Sequence, residues 1–248
     1  MFAASDDPCD NTGKRQPMTY TIRQAVILAA GRGERMHPFT LHTPKPLLEI
    51  KGVRPLDTII SALHRNHILD IFIVTGFCAE QFAFLQDQPG IRLLYNPLYA
   101  STNNITSLYT ARDHLEEAMI LDGDQIIRDA SVLSPFFDGS GYAAVHTEHD
   151  TREWVLDVER GRICGCSRDG GHGGWQLRSI SHWTAEDGRK LKAHLEEEIR
   201  TGQHNDLFWD DIPLFLHPED YALSIMPIRA DALTEIDTPE DLEAYRNG

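Results

Sequence analysis

The 248-residue chain predicts an α/β fold: a mixed, mostly parallel central sheet flanked by helices. Three observations predict it. Short apolar runs alternate with segments of helical periodicity from Arg23 onward, as βαβ units do. The apolar run Ala25–Ala30 passes directly into Gly31-Arg32-Gly33-Glu34-Arg35, a buried strand feeding a tight loop. A second run, Ala118–Leu121, ends on Asp122-Gly123-Asp124. Ligands of such sheets bind beyond the carboxyl ends of the strands, so both loops are expected at one edge.

In chain order, residues 1 to about 22 read as a disordered leader, because Met1–Tyr20 is polar and has no apolar core of a signal peptide. Pro55–His67 has apolar residues at helical spacing and starts with Pro at its first turn. Asp70–Thr75 is a strand, Ala79–Gln86 a short helix, and Ile91–Tyr95 a further strand. Thr106–Leu115 reads as helix and precedes the strand Ala118–Leu121. From Gly141 the texture changes. Strands are predicted at Gly141–Thr147, Trp154–Val158 and Gln176–Trp183, with a Gly-rich loop at Asp169–Gly174 between the last two. Ala185–Arg200 is an amphipathic helix with a solvated charged face, and Thr238 caps a last helix whose first position is Pro239. With no repeat and no linker, residues 23–248 read as one domain.

Composition excludes several function classes. A net charge of −15 disfavours nucleic-acid and anionic-membrane partners, and no apolar run reaches the length of a membrane span. Four cysteines, Cys9, Cys78, Cys164 and Cys166, read as free thiols of a cytoplasmic protein. The Cys164-Gly-Cys166 pair near His172 is too sparse for a zinc site of four ligands.

The chemistry concentrates in three places. Gly31 and Gly33 let free backbone N–H groups form an anion-binding nest, with Arg35 and Lys45 adding fixed positive charge, which suits a polyphosphate. This loop is neither a dinucleotide fingerprint nor a Walker A sequence. Asp124 at a strand's end suits Mg²⁺, which takes hard oxygen ligands, although an Asp-Gly pair also makes an ordinary turn. Asp237, just before the Thr238 cap, is free to point elsewhere.

The full string L-A-A-G-x-G-x-R followed by Pro44-Lys45-Pro46-Leu47 resembles the signature of nucleotidyltransferases that make NDP-sugars and CDP-alcohols. The resemblance implies a Rossmann-like, GT-A-like nucleotidyltransferase domain that uses Mg²⁺ held by Asp124 and Asp237. It also implies nucleotide contacts from Leu28, Ala29, Ala30, Gly31, Gly33, Asn103, Asn104 and Ser107. Three further segments, Asn103–Tyr109, Glu153–Leu156 and Asp206–Asp211, are similar to bacterial CTP:phosphocholine cytidylyltransferases. The similarity runs from about Gln24 to Tyr245. Phe208 and Gln125 depart from that pattern, which tends to carry Tyr and Asn there, and the Gly-rich segment near Gly170 has no counterpart in it.

The expected reaction is attack of a phosphorylated acceptor on CTP, with Arg35, Lys45 and Asp124 as the catalytic set. Trp154, Phe208 and Trp209 would cage a quaternary ammonium if they converge, with Asp210, Asp211 and Glu235 adding negative charge. The residues alone leave open whether these aromatics are cage or core. Phosphocholine is the expected acceptor. The alternatives are 2-aminoethylphosphonate, another phospho-alcohol or sugar phosphate, and a non-catalytic nucleotide-binding regulator. The partners expected are CTP and this acceptor, with a homodimer left open.

Overall fold

The strand that the sequence places before the glycine loop, β1 (Gln24–Ala29), explains why the sheet is covered on both sides. The computed structural model describes residues 19–202 and 205–247. In it Ala25, Ile27 and Ala29 enter one hydrophobic core, and Val26, Leu28 and Ala30 enter a second. Successive strand residues face opposite ways, so an unbroken apolar run requires a layer on each face. Parallel neighbours β2 (Asp70–Thr75) and β4 (Ala118–Asp122) flank β1, and β3 (Ile91–Tyr95) extends the sheet beyond β2. The first core includes Leu56, Ile59 and Leu63 of α1 (Pro55–Arg65). The second takes Ile105 and Leu108 of α2 (Ile105–Thr110) and Leu191 and Leu195 of α3 (Ala185–Thr201).

Five more strands complete the sheet: β5 (Gly141–Thr151), β6 (Val155–Glu159), β7 (Arg162–Ser167), β8 (Gly171–Trp183) and β9 (Ser224–Pro227). The nine run in the order β3-β2-β1-β4-β8-β5-β9-β7-β6. Parallel pairing covers β1 to β4 and the β5–β9 pair; the remainder is antiparallel. β6 also returns to β8, Trp175 opposite Leu156, so this half of the sheet closes on itself. The closure is partial, since β7 meets β9 only at Arg162 opposite Ser224. The last helix, α4 (Pro239–Asn247), buries Leu242 with Met36, Ile50, Ile126 and Ile236. Among the described residues no helix is long and apolar enough to cross a membrane.

Several expectations need correcting. Asp169–Gly174 is not a loop throughout: from Gly171 it is strand, paired to β5 at Gly171↔Thr151 and His172↔Asp150. Its glycines mark irregular pairing instead of chain breaks. Gly173 has φ +74 at a register shift, and a Cβ on Gly174 would meet Val155 Cγ1 at 2.7 Å. Ala79–Leu85 is a 3₁₀ helix, with buried Phe82 and Leu85 at the three-residue spacing that this helix aligns. α2 stops at Thr110, whose hydroxyl donates back to the Thr106 carbonyl at 2.8 Å, a bond that weakens helix continuation. β7, which holds Cys164 and Cys166, and β9 are not evident from the sequence pattern. Of the expected leader, Tyr20–Thr21 pair with Phe136–Phe137, while residues 1–18, including Cys9, lie outside the described residues.

Candidate active site

The parallel β1–β4 register, Leu28 opposite Asp122, brings the glycine loop and Asp122-Gly123-Asp124 to one sheet edge. Gly123 makes the approach close: its N–H donates to the Leu28 carbonyl at 2.9 Å, and a Cβ there would meet Pro46 Cγ at 3.0 Å. Gly33, at φ +63, turns the loop back, and its carbonyl accepts from the buried Thr40 hydroxyl at 2.7 Å. These elements wall a cleft of about 390 Å³. Leu28, Ala29, Ala30, Gly31 and Gly33 line one side, and Asn103, Asn104 and Ser107 at the start of α2 line another. With Lys45, Pro46 and Asp237, the cleft is built from five segments distant in sequence.

At its floor Lys45 Nζ donates to Asp124 Oδ2 at 2.7 Å and also to Asp237 Oδ1. Arg35 Nη2 lies 3.4 Å from the same Asp237 oxygen. Burial opposes the charge on Lys45, but Asp124 and Asp237 outweigh it and raise its pKa to about 12. Burial likewise works to raise the Asp237 pKa, and Lys45 and Arg35 overcome it and hold the carboxyl below its ordinary range. Lys45 is thus a fixed cation at neutral pH.

The cleft opens into a second chamber of about 740 Å³. Trp154, Phe208, Asp210 and Glu235 line it, and Asp122, Asp124, Asp237 and Arg35 are common to both cavities. The Trp154 and Phe208 rings meet edge to face, centroids 5.6 Å apart. Trp209 is not on the chamber wall. It is 4% exposed, stacked on Tyr142 and edge-on to Trp183 in the second core. The neighbouring Phe208 remains 38% exposed. Asp211 also turns away: Oδ2 accepts from the Phe208 N–H at 3.0 Å, and Oδ1 pairs with Arg168 at 2.5 Å. That same Arg168 guanidinium lies 5.4 Å from the Trp154 ring centroid and 4.2 Å from that of Phe215. Asn104 Oδ1 accepts from the Trp209 N–H at 3.0 Å, tying the nucleotide cleft to this wall.

Charge in the chamber is unevenly compensated. Glu235 is held by Arg178 at 2.8 Å and by the Gln125 amide at 2.8 Å. No ion pair joins Asp122 or Asp210 to a basic side chain among the described residues. Burial pushes Asp210 up to about 7, with Asp211 adding to the effect. Burial also raises Asp122 well above the carboxylate range, reinforced by Asp124 and Asp210. The chamber is short of positive charge. Sequence reasoning assigned nothing to Asp122, although its two-residue spacing from Asp124 was visible. Arg178 and Ser179 give no sequence signal, since both sit in a strand whose pairing partner is distant.

The profile of the MobA-like NTP transferase domain matches residues 25–201. The 2-aminoethylphosphonate cytidylyltransferase of Lancefieldella rimae is 33% identical over 90% of this chain and 92% of its own. The choline-phosphate cytidylyltransferase of Haemophilus influenzae is 30% identical, over 88% of this chain and 93% of its own. The solved CTP:phosphocholine cytidylyltransferase of Streptococcus pneumoniae superposes with a TM-score of 0.84 at 28% identity, covering 91% of this chain and 99% of that one. The inositol-1-phosphate CTP transferase of T. maritima shares the fold, with a TM-score of 0.73 at 17% identity over 92% and 95% of the two chains. A cleft assembled from the glycine loop, Lys45 and the paired carboxylates, on a chain with these relatives, belongs to a nucleotidyltransferase of the cytidylyltransferase kind, a member of the MobA-like NTP transferase family.

Proposed function

We propose that the enzyme transfers CMP from CTP to a small amine-bearing phosphonate or phosphate monoester, with 2-aminoethylphosphonate preferred to phosphocholine. The observation that carries this reading is the chamber wall, where Asp122 and Asp210 lack a basic partner while Trp209 and Asp211 face elsewhere. An ammonium with three N–H donors satisfies two carboxylates through charge-assisted hydrogen bonds. A trimethylammonium has no N–H and relies on ring faces and diffuse negative charge. Only Trp154 and Phe208 of the three expected rings line the chamber. The L. rimae relative is named for the aminophosphonate. Phosphocholine is the second reading, favoured by the Trp154–Phe208 pair.

The chemistry needs positioning and charge neutralisation. An oxygen of the acceptor's phosphonate attacks the α-phosphorus of CTP in line, the α–β phosphoanhydride bond breaks, and pyrophosphate leaves. The attacking oxygen is already anionic, so no general base is required. Backbone N–H groups of the Gly31–Gly33 loop and Arg35 hold the β- and γ-phosphates. Lys45, protonated throughout, lies where it can neutralise the approach of two anions. Asp124 and Asp237 suit Mg²⁺: both carboxylates already converge on a single positive charge, and their oxygens are the hard donors that this ion takes alongside substrate phosphates. When bound there, Mg²⁺ supplies further charge neutralisation at the α-phosphate.

Pyrophosphate release measured for CTP, UTP, ATP, GTP and dTTP against 2-aminoethylphosphonate, phosphoethanolamine and phosphocholine tests the reading. CTP with 2-aminoethylphosphonate is expected to show the highest kcat/KM. A higher value for phosphocholine overturns the amine preference, and a different preferred nucleotide overturns the assignment of CTP.

A further inference from the structure

We propose that His194, His217 and Asp220 form a binding site for a zinc-class divalent metal, fastening α3 to the segment that carries the acceptor wall. The site lies outside the nucleotide cleft and does not rest on the acceptor assigned above. Each of the three residues presents one donor atom, and these atoms all lie within 4.8 Å of one another. His194 Nε2 is 3.4 Å from Asp220 Oδ2, and His217 Nδ1 is 3.9 Å from the same oxygen. Such separations approach the edges of a tetrahedron whose centre lies about 2 Å from each donor.

The outer nitrogen of each ring has an orienting neighbour. His194 Nδ1 pairs with the Tyr221 hydroxyl at 2.7 Å, which leaves the Nε2 lone pair directed at Asp220 when Nδ1 carries the proton. His217 Nε2 is buried without a hydrogen-bond partner, and Glu198 Oε1 stands 3.6 Å away, ready to accept its proton. Metal-bound imidazoles characteristically hold their second nitrogen this way. The two rings stack at 3.9 Å with an interplanar angle of 3°. Stacked in this way, the two in-plane lone pairs run side by side, and one ring tilts out of the stack when both nitrogens reach a single ion. Two imidazoles and one carboxylate are a zinc-type donor set, and the half-exposed Asp220 leaves room for a solvent ligand. His217 ends the turn Ile212–Leu216, which follows Phe208 and Asp210 directly. A metal here would therefore brace the chamber from behind.

The test is a titration of the metal-free full chain with Zn²⁺ in excess Mg²⁺, repeated with Co²⁺ as a spectroscopic probe. One Zn²⁺ per chain, a higher melting temperature, and the visible bands of four-coordinate Co²⁺ are expected. His194→Gln and His217→Gln should each weaken Zn²⁺ binding at least about a hundredfold, and Glu198→Gln and Tyr221→Phe about tenfold. Asp124→Asn combined with Asp237→Asn should leave this binding unchanged. Absence of Zn²⁺ binding in the wild-type chain overturns the proposal, as does unchanged affinity in the double variant His194→Gln/His217→Gln. If the histidine variants do not fold, the surface substitution Asp220→Asn decides: unaltered Zn²⁺ affinity there overturns it equally.

Discussion

Asp210→Asn separates the two acceptors most sharply, because it removes a charge while keeping size and shape. In the free chamber burial holds this carboxyl near 7, so at neutral pH about half of it is ionised. An incoming ammonium favours the ionised form and forms a charge-assisted hydrogen bond with it. Such a bond contributes about 1.5–3 kcal/mol, or roughly 10- to 150-fold in affinity. Because Asp210 is buried and joins no ion pair among the described residues, the upper part of that range applies. Asp210→Asn should therefore lower kcat/KM for 2-aminoethylphosphonate about a hundredfold, and for phosphocholine only severalfold. In the wild-type enzyme kcat/KM for the amine should rise as pH rises through about 7, as Asp210 ionises. That limb should vanish in Asp210→Asn. The same shift bears on stability: the folded chain holds this proton up to about 7 against 3.8 for an unperturbed carboxyl, so ionisation is disfavoured by folding. Stability attributable to Asp210 therefore falls as pH rises through this window, and Asp210→Asn should flatten the slope in thermal melts. Steady-state pyrophosphate release from pH 5.5 to 8.5 provides the kinetic readout. An unchanged pH limb, or equal losses for both acceptors, refutes the reasoning.

Other outcomes follow from the same geometry. Lys45→Ala should lower kcat about 10²- to 10³-fold, since its charge matters most as two anions meet, whereas Arg35→Ala should also raise the KM for CTP; a Lys45→Ala effect confined to the KM for CTP would reverse these assignments. Asp124→Asn or Asp237→Asn should each reduce turnover by orders of magnitude with the fold retained by circular dichroism, and EDTA should abolish wild-type activity until Mg²⁺ is restored. Full activity in either variant removes that residue from the metal site. Trp209→Ala should destabilise the chain by about 3–5 kcal/mol in urea unfolding, as loss of a buried aromatic does, without altering acceptor KM in the folded fraction. A changed KM with unchanged stability would return Trp209 to the acceptor wall.

How much of this was legible in the sequence depended on whether the physics was local. An apolar run both of whose faces must be covered, followed by glycines, specifies β1 and its loop within a dozen residues. Parallel neighbours then bring Asp124 to the same edge as that loop, because parallel strands end together. Helices such as α1 and α3 carry their periodicity and caps within themselves. By contrast, β9 is four residues long and β7 shows no strand pattern of its own, and each becomes a strand only because distant strands offer hydrogen-bonding partners. The same cause turned the Gly-rich segment into a strand, with β5 supplying the ladder that its own residues do not request. Chain neighbours also parted company on a basis that no linear pattern records. Phe208 and Asp210 face the chamber while Trp209 and Asp211 face Tyr142 and Arg168. Composition placed aromatics and acids together in this segment, and only the tertiary packing decided which of them meet a substrate. Asp122 completes the contrast: its position two residues before Asp124 was plain, but its raised pKa arises from burial beside Asp124 and Asp210, which the fold alone brings together.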